Sequence, residues 1–191
     1  MLLLSDNEVF KPSNTGRLIL DTIKEGYAYQ WSRTEPEPDM LALLDNEAYQ
    51  PIVVFPDEYV EDKSRLITTN TREFCAGKRP LLIFLDGSWR EARRIFRKSP
   101  CLNRLPVLSI QPDAVSQYMM RRSDNEQHLA TAEVAALVLN EVDERKAGQT
   151  LSIWFDAFKE SYLMSKTRLK VDKQRPALKH FISEVENEKS V

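Results

Sequence analysis

The chain has 191 residues, 42% of them hydrophobic and 29% charged, enough apolar content for one domain with a core, which excludes a disordered tail or a peptide scaffold. Its 27 Lys and Arg against 29 Asp and Glu leave a net charge of −2, which by itself argues against a nucleic-acid partner. The average conceals an uneven distribution: residues 1–71 carry 6 basic and 13 acidic side chains, residues 72–122 carry 11 and 4, and residues 123–191 carry 10 and 12. The middle third is a basic module, and the acidic N-terminal third is expected to face away from it. The opening Met1-Leu2-Leu3-Leu4 run is followed at once by Ser5, Asp6, Asn7 and Glu8. It is too short for a signal-peptide core and has no basic start. No stretch approaches the ~18 to 20 apolar residues of a membrane span. Cys75 and Cys101 stand 26 residues apart, without the close spacing of a zinc or redox site. These features predict a cytoplasmic protein with no membrane contact and no metal.

Pro12-Ser13-Asn14-Thr15 precedes Leu18, Ile19 and Ile23 at helical spacing, which predicts a helix starting near Asn14 or Thr15. After a Pro-rich turn at residues 34–38, Asp39 can cap a short helix carrying Met40, Leu41, Leu43 and Leu44. Ile52 to Phe55, between two prolines, reads as a buried strand. Leu81 to Leu85 is a five-residue apolar run, the pattern of a strand covered on both faces in a parallel sheet. Ser88 and Glu91 then form a capping-box pattern, with Trp89, Ala92 and Phe96 on one helical face and Arg90, Arg93, Arg94 and Arg97 on the other. Pro100 ends that helix, and Val107 to Ile110 gives another strand, so residues 81–110 read as one strand–helix–strand unit. A helix follows from Thr131 to Lys146, closed by Gly148, then an aromatic-rich helix from Leu151 to Leu163, and a last one begins at Pro176. Alternating strands and helices predict an α/β domain over residues 1–170 with a C-terminal helical extension over residues 171–191.

Asp86-Gly87-Ser88-Trp89 closes the apolar strand at its carboxyl end, where open α/β sheets bind ligands. Gly87 lets a ligand approach the backbone, the helix start at Ser88 offers N–H groups, Asp86 can accept a proton, and Trp89 offers a stacking face. The same residues also suit an ordinary turn with Asp86 as a hydrogen-bond acceptor and Trp89 in the core. Ser13 to Arg17 suits either a helix cap or an anion site. The arginine stripe, continued by Lys98, suits either a solvated face or an RNA backbone. Arg121 can pair with a ligand carboxylate, whereas Thr131 and Glu133 also fit a helix start.

The order of these motifs is more specific than any one of them. Ser-Asn-Thr-Gly-Arg at 13–17, Phe-Pro at 55–56, Leu-Asp-Gly-Ser-Trp-Arg-Glu-Ala-Arg at 85–93, Leu-Pro at 105–106, Tyr-Met-Met-Arg-Arg at 118–122 and Thr-Ala-Glu at 131–133 together resemble the DTW-domain family. The resemblance spans about residues 8–165. The family's Asp-x-Thr-Trp signature has Ser88 here in place of threonine, a form that also looks like the related ribosomal-RNA aminocarboxypropyltransferases.

This resemblance implies a SPOUT-like α/β fold, a mostly parallel sheet with flanking helices and a C-terminal trefoil knot. It also implies transfer of the 3-amino-3-carboxypropyl group from S-adenosylmethionine to N3 of a tRNA uridine, at position 47 of the variable loop, with release of methylthioadenosine. On that reading Asp86 and Trp89 are the expected catalytic residues. Thr15, Gly87, Ser88, Tyr118, Arg121, Thr131 and Glu133 are expected to bind S-adenosylmethionine, and Arg17, Arg90, Arg93, Arg94, Arg97 and Lys98 to bind tRNA. A monomer or homodimer is expected. Many bacterial relatives carry a cysteine-rich N-terminal segment that this sequence does not include. A SPOUT-type RNA methyltransferase and a catalytically silent RNA-binding module are the competing readings.

Overall fold

The computed structural model describes residues 1–109, 129–165 and 172–189. Among these, five strands form one sheet: β1 (Leu2–Leu4), β2 (Ala28–Gln30), β3 (Tyr49–Val54), β4 (Arg79–Asp86) and β5 (Val107–Leu108). Every pairing is parallel and the order is β2-β1-β4-β3-β5. The helices are α1 (Arg17–Thr22), α2 (Pro38–Leu44), α3 (Thr71–Phe74), α4 (Trp89–Lys98), α5 (Thr131–Glu141), α6 (Arg145–Met164) and α7 (Pro176–Lys189).

The apolar runs are explained by burial on both faces of the sheet, because successive side chains point to opposite sides. Leu2, Ile52, Val54 and Phe84 pack with α1, α5 and α6 through Leu18, Val138, Leu139, Leu151 and Phe155. Leu3, Val53, Leu81, Ile83 and Leu85 pack on the other side with Trp31, Met40, Ala92, Ile95 and Phe96. The result is three layers, helix on sheet on helix.

The structure corrects the sequence reading in three places. The opening leucines, weighed only as a signal-peptide start, form β1 near the middle of the sheet, with Leu2 opposite both Ala28 and Phe84. Three residues are too few to show a period, and their place is set by pairing with distant strands. The strand–helix–strand unit skips a position, because β3 lies between β4 and β5. Gly148 does not close a helix; it lies inside α6, and the break is at Asp143, whose φ is 64°. A Cβ on Gly148 would stand 2.9 Å from the Ala136 carbonyl oxygen and 2.7 Å from Asn140 Oδ1, so the residue serves the close approach of α5 and α6.

The α4 capping box is present: Ser88 accepts from the Glu91 amide and Glu91 from the Ser88 amide. Ser88→Ala is expected to lower stability by about 1 kcal/mol, roughly 2–4 °C in thermal midpoint for a chain of this size. A melt followed by circular dichroism checks it. Helix α7 starts at Pro176 and packs on α6 by stacking of Phe181 on Trp154, with ring centroids 4.7 Å apart. The C-terminal knot that the resemblance implies is not described by these residues, since residues 110–128 and 166–171 lie outside them.

Candidate functional site

The chain leaves β1 into α1 on one face of the sheet and leaves the neighbouring β4 into α4 on the other. Connections diverging from adjacent parallel strands open a crevice at their carboxyl ends, the usual ligand position in such sheets. The Ser5 amide donates to the Asp86 carbonyl across that point at 2.9 Å.

Asp86 is 0% exposed. One carboxyl oxygen accepts from Asn14 Nδ2 at 2.6 Å and the other from Thr131 Oγ1 at 2.7 Å. Three motif segments far apart in sequence therefore converge on one carboxyl group. Asn14 also donates to the Glu8 carbonyl at 3.2 Å, while its own side-chain oxygen caps α1 through the Arg17 amide at 2.9 Å. Thr15 is buried and its hydroxyl lies 3.5 Å from the donating Ala132 amide. Gly16 is where the backbone approaches most closely: a Cβ there would lie 2.6 Å from Asp86 Oδ2 and 2.7 Å from Leu2 Cδ2. Glu133 accepts from the Ala130 amide at 2.9 Å and so caps α5, with Thr131 free to turn to Asp86.

Beyond Asp86, Trp89 stacks on Phe55 with centroids 5.4 Å apart and meets the edge of Tyr59 at 5.1 Å. Phe55 stacks in turn on Phe96 at 4.3 Å, and the Arg93 guanidinium covers Tyr59 at 4.7 Å. Trp89 and Tyr59 are half-buried, so this aromatic wall is partly exposed to solvent. At its foot, burial pushes the Glu91 carboxyl up, but hydrogen bonds from the Ser88 hydroxyl and amide, with the Lys11 ammonium, outweigh it and hold Glu91 below its usual value. Gly87 allows the Ser5 loop to pass, since a Cβ there would stand 2.8 Å from Ser5 Oγ.

The arginine stripe divides. Arg90, Arg94 and Arg97, at spacings of four and three, are exposed with Lys98, while Arg93 is half-buried against Tyr59. Arg94 lies over Trp31 at 5.2 Å, beside a cavity of about 300 Å³ lined in part by Trp31, Arg33, Met40 and Ser99. Arg17 is exposed and covers the Phe158 ring at 5.0 Å. Tyr118 and Arg121 lie outside the described residues. Within the acidic N-terminal third, residues 5–16 border Asp86. Its Glu8 is 0% exposed and paired with Lys11 at 2.6 Å. Sequence reasoning names Asn14 only as a helix cap, a role its side chain fills through the Arg17 amide, and does not single out Gly16, Glu8, Phe55 or Tyr59 as site residues. Asn14 and Gly16 stood within a motif already singled out, but nothing local marks Glu8 as buried.

The chain, whose motif segments at 13–17, 85–93 and 131–133 meet at Asp86, matches the DTW-domain family model over residues 1–163. The chain belongs to the DTW-domain family. It is similar to the tRNA-uridine aminocarboxypropyltransferase 2 of Drosophila melanogaster, 34% identical over 64 residues. That stretch is 34% of this chain and 26% of the relative, so the match covers about a quarter of the relative's length. No solved structure matches the chain. Among the described residues of this DTW domain, no group of three or more His, Cys, Asp or Glu side chains could hold a metal ion, and no helix is long and apolar enough to cross a membrane.

Proposed function

We propose that this DTW-domain chain transfers the 3-amino-3-carboxypropyl group of S-adenosylmethionine to N3 of a uridine in tRNA. The observation that carries the reading is the convergence of Asn14, Thr131 and Gly16 on Asp86 at the crevice between β1 and β4, with Trp89 on one side and an exposed arginine ridge on the same helix. The Drosophila relative's name supplies the reaction class and the tRNA. The wider reading is a cytoplasmic, SPOUT-like enzyme, monomeric or homodimeric, with a knotted C-terminal part, acting at position 47 of the variable loop.

The residues fit the co-substrate in their chemistry. A sulfonium cation is attracted by carboxyl groups and aromatic faces, and Asp86, Glu91, Glu133, Trp89 and Tyr59 supply both. Thr15, Gly87, Ser88, Thr131 and Glu133, with Tyr118 and Arg121, are the residues that would hold it. When bound, S-adenosylmethionine supplies an electrophilic carbon whose C–S bond breaks as the N3–C bond forms, and methylthioadenosine leaves. The chain's own task is to orient N3, remove its proton and keep the methyl carbon from the nucleophile. Asp86, held by Asn14 and Thr131 inside the fold, orients the strand-end turn and keeps acceptor capacity on its carboxyl oxygens for a proton. Trp89 walls the pocket.

Incubation with S-adenosylmethionine and unmodified tRNA, digestion to nucleosides and mass spectrometry test the proposal. The expected product is an aminocarboxypropyl-uridine. A methylated nucleoside assigns the chain to the methyltransferases, and an unmodified digest with tRNA bound assigns it to the silent binding modules. Replacing Arg90, Arg94 and Arg97 together by alanine should weaken tRNA binding by roughly 10- to 1,000-fold and flatten the slope of log affinity against log salt by about 2 to 3. Calorimetry should show co-substrate binding unchanged. Arg93 is left in place because it packs on Tyr59.

A further inference from the structure

The loop that leaves β1 is inverted relative to ordinary burial. Glu8 is 0% exposed, while Val9 and Phe10 stand 54% and 83% exposed. Charged side chains are rarely buried outright and only when paired; Lys11 supplies that pair, with Nζ 2.6 Å from Glu8. The two apolar residues occupy the centre of a turn closed by the Lys11 amide on the Glu8 carbonyl at 3.1 Å. Turn centres favour Gly, Pro, Asn and Asp, so turn chemistry gives no reason for valine and phenylalanine here.

The loop is also well anchored. Its base is tied by Ser5 to the Asp86 carbonyl, by Glu8 to Ser5, and by Asn14 to both Lys11 and Asp86. Lys11 reaches across to Glu91 in the first turn of α4 at 3.9 Å. The exposed ring of Phe10 is therefore carried by a braced turn next to the helix that presents Arg90, Arg94 and Arg97, and on the same strand ends as Asp86. Asp6, exposed on the same loop, faces Gln30, whose Nε2 lies 3.4 Å from it.

An aromatic face beside a line of cations is the combination that binds unpaired RNA, bases stacking on the ring while phosphates follow the arginines. We propose that Phe10 is a base-stacking contact for the RNA substrate, holding an unpaired nucleotide of tRNA at the mouth of the site. This inference rests on the tRNA reading given above. Its occupant is an RNA base rather than a protein surface because α4, which Lys11 of this turn reaches at Glu91, carries Arg90, Arg94 and Arg97 exposed to solvent.

The experiment is a salt series of tRNA-binding measurements by fluorescence anisotropy, using unmodified tRNA transcript with the full chain as wild type, Phe10→Ala, Phe10→Trp and Arg94→Ala. Phe10→Ala is expected to bind roughly 5- to 100-fold more weakly at every salt concentration, with the salt slope unchanged, because stacking releases no counterions. Phe10→Trp should restore or exceed wild-type affinity, and Arg94→Ala should lower the slope. Thermal midpoints of the Phe10 variants should match wild type, since the ring is in solvent. Wild-type affinity in Phe10→Ala would overturn the stacking contact while leaving the tRNA reading intact, as would failure of Phe10→Trp to recover binding. A wild-type chain that neither binds nor modifies tRNA would sink both.

Discussion

Asp86→Ala is expected to abolish transfer and to destabilise the fold by about 3 kcal/mol, roughly 6–12 °C in thermal midpoint. The side chain is fully buried and accepts from Asn14 at 2.6 Å and Thr131 at 2.7 Å. Removing the acceptor takes one of two partners from Asn14 Nδ2, which keeps the Glu8 carbonyl, and the Asp86 bond from the Thr131 hydroxyl, at about 1–3 kcal/mol apiece. The cavity left by the carboxyl group adds a smaller amount. Asp86→Asn separates the structural part from the chemical part. Its volume is the same, but its single amide oxygen serves only one of two donors, so a smaller loss of about 1–2 kcal/mol is expected. The check is urea unfolding together with turnover on tRNA. If Asp86→Asn folds and transfers at the wild-type rate, the carboxyl group has no part in the reaction and Asp86 is a structural clasp alone.

Gly16→Ala is expected to reach the same carboxyl group from the other side. The backbone at Gly16 has φ −57° and ψ −36°, which any residue adopts, so glycine is required there for space and not for conformation. The added methyl group would meet Asp86 Oδ2 at 2.6 Å, Asp86 Cγ at 2.8 Å and Leu2 Cδ2 at 2.7 Å. Leu2 belongs to β1 between two neighbouring strands, and Asp86 is held by Asn14 and Thr131, so neither can step aside without breaking a contact. Forced overpacking of this kind typically costs about 1–3 kcal/mol. Activity should fall further than that loss explains, because the displaced group is the one that ties the strand end to α5. Stability equal to wild type in a chemical melt, with unchanged turnover, would show that the loop at 13–17 shifts freely.

Some of this was legible in the residues and some was not, for identifiable reasons. The five-residue apolar run of β4, the Ser88–Glu91 capping box and the apolar face of α4 are local patterns, and each stands where the periodicity predicts. The strand-end turn at residues 86–89 is found at the carboxyl end of a parallel sheet, as the βα pattern implies. The Asp86 turn was open to two readings from composition, as a site or as a hydrogen-bonded corner. The structure makes it the acceptor of two bonds from distant motifs. β1 and β2, three residues each, carry no readable period; they are strands because neighbours exist to pair with them. The boundary between α5 and α6 was misplaced because glycine usually stops a helix, whereas here Asp143 adopts the positive φ and Gly148 admits the neighbouring helix. The stripe of four arginines was uniform in sequence, and only packing separates Arg93, over Tyr59, from the three that face solvent.

The clasp at Asp86 joins residue 14, residue 86 and residue 131, and the strand that brings the first of these into place pairs Leu2 with Phe84. No part of that arrangement forms from neighbours in sequence. Contacts between remote segments carry the loop-closure entropy of the chain between them. The clasp is consequently a property of the completed domain: on gentle heating, its loss and the loss of the fold should follow one transition. Asn14 and Thr131 mutants should shift both to lower temperature together, and slow exchange of the Ser5 amide, bonded to the Asp86 carbonyl, should report the same global event.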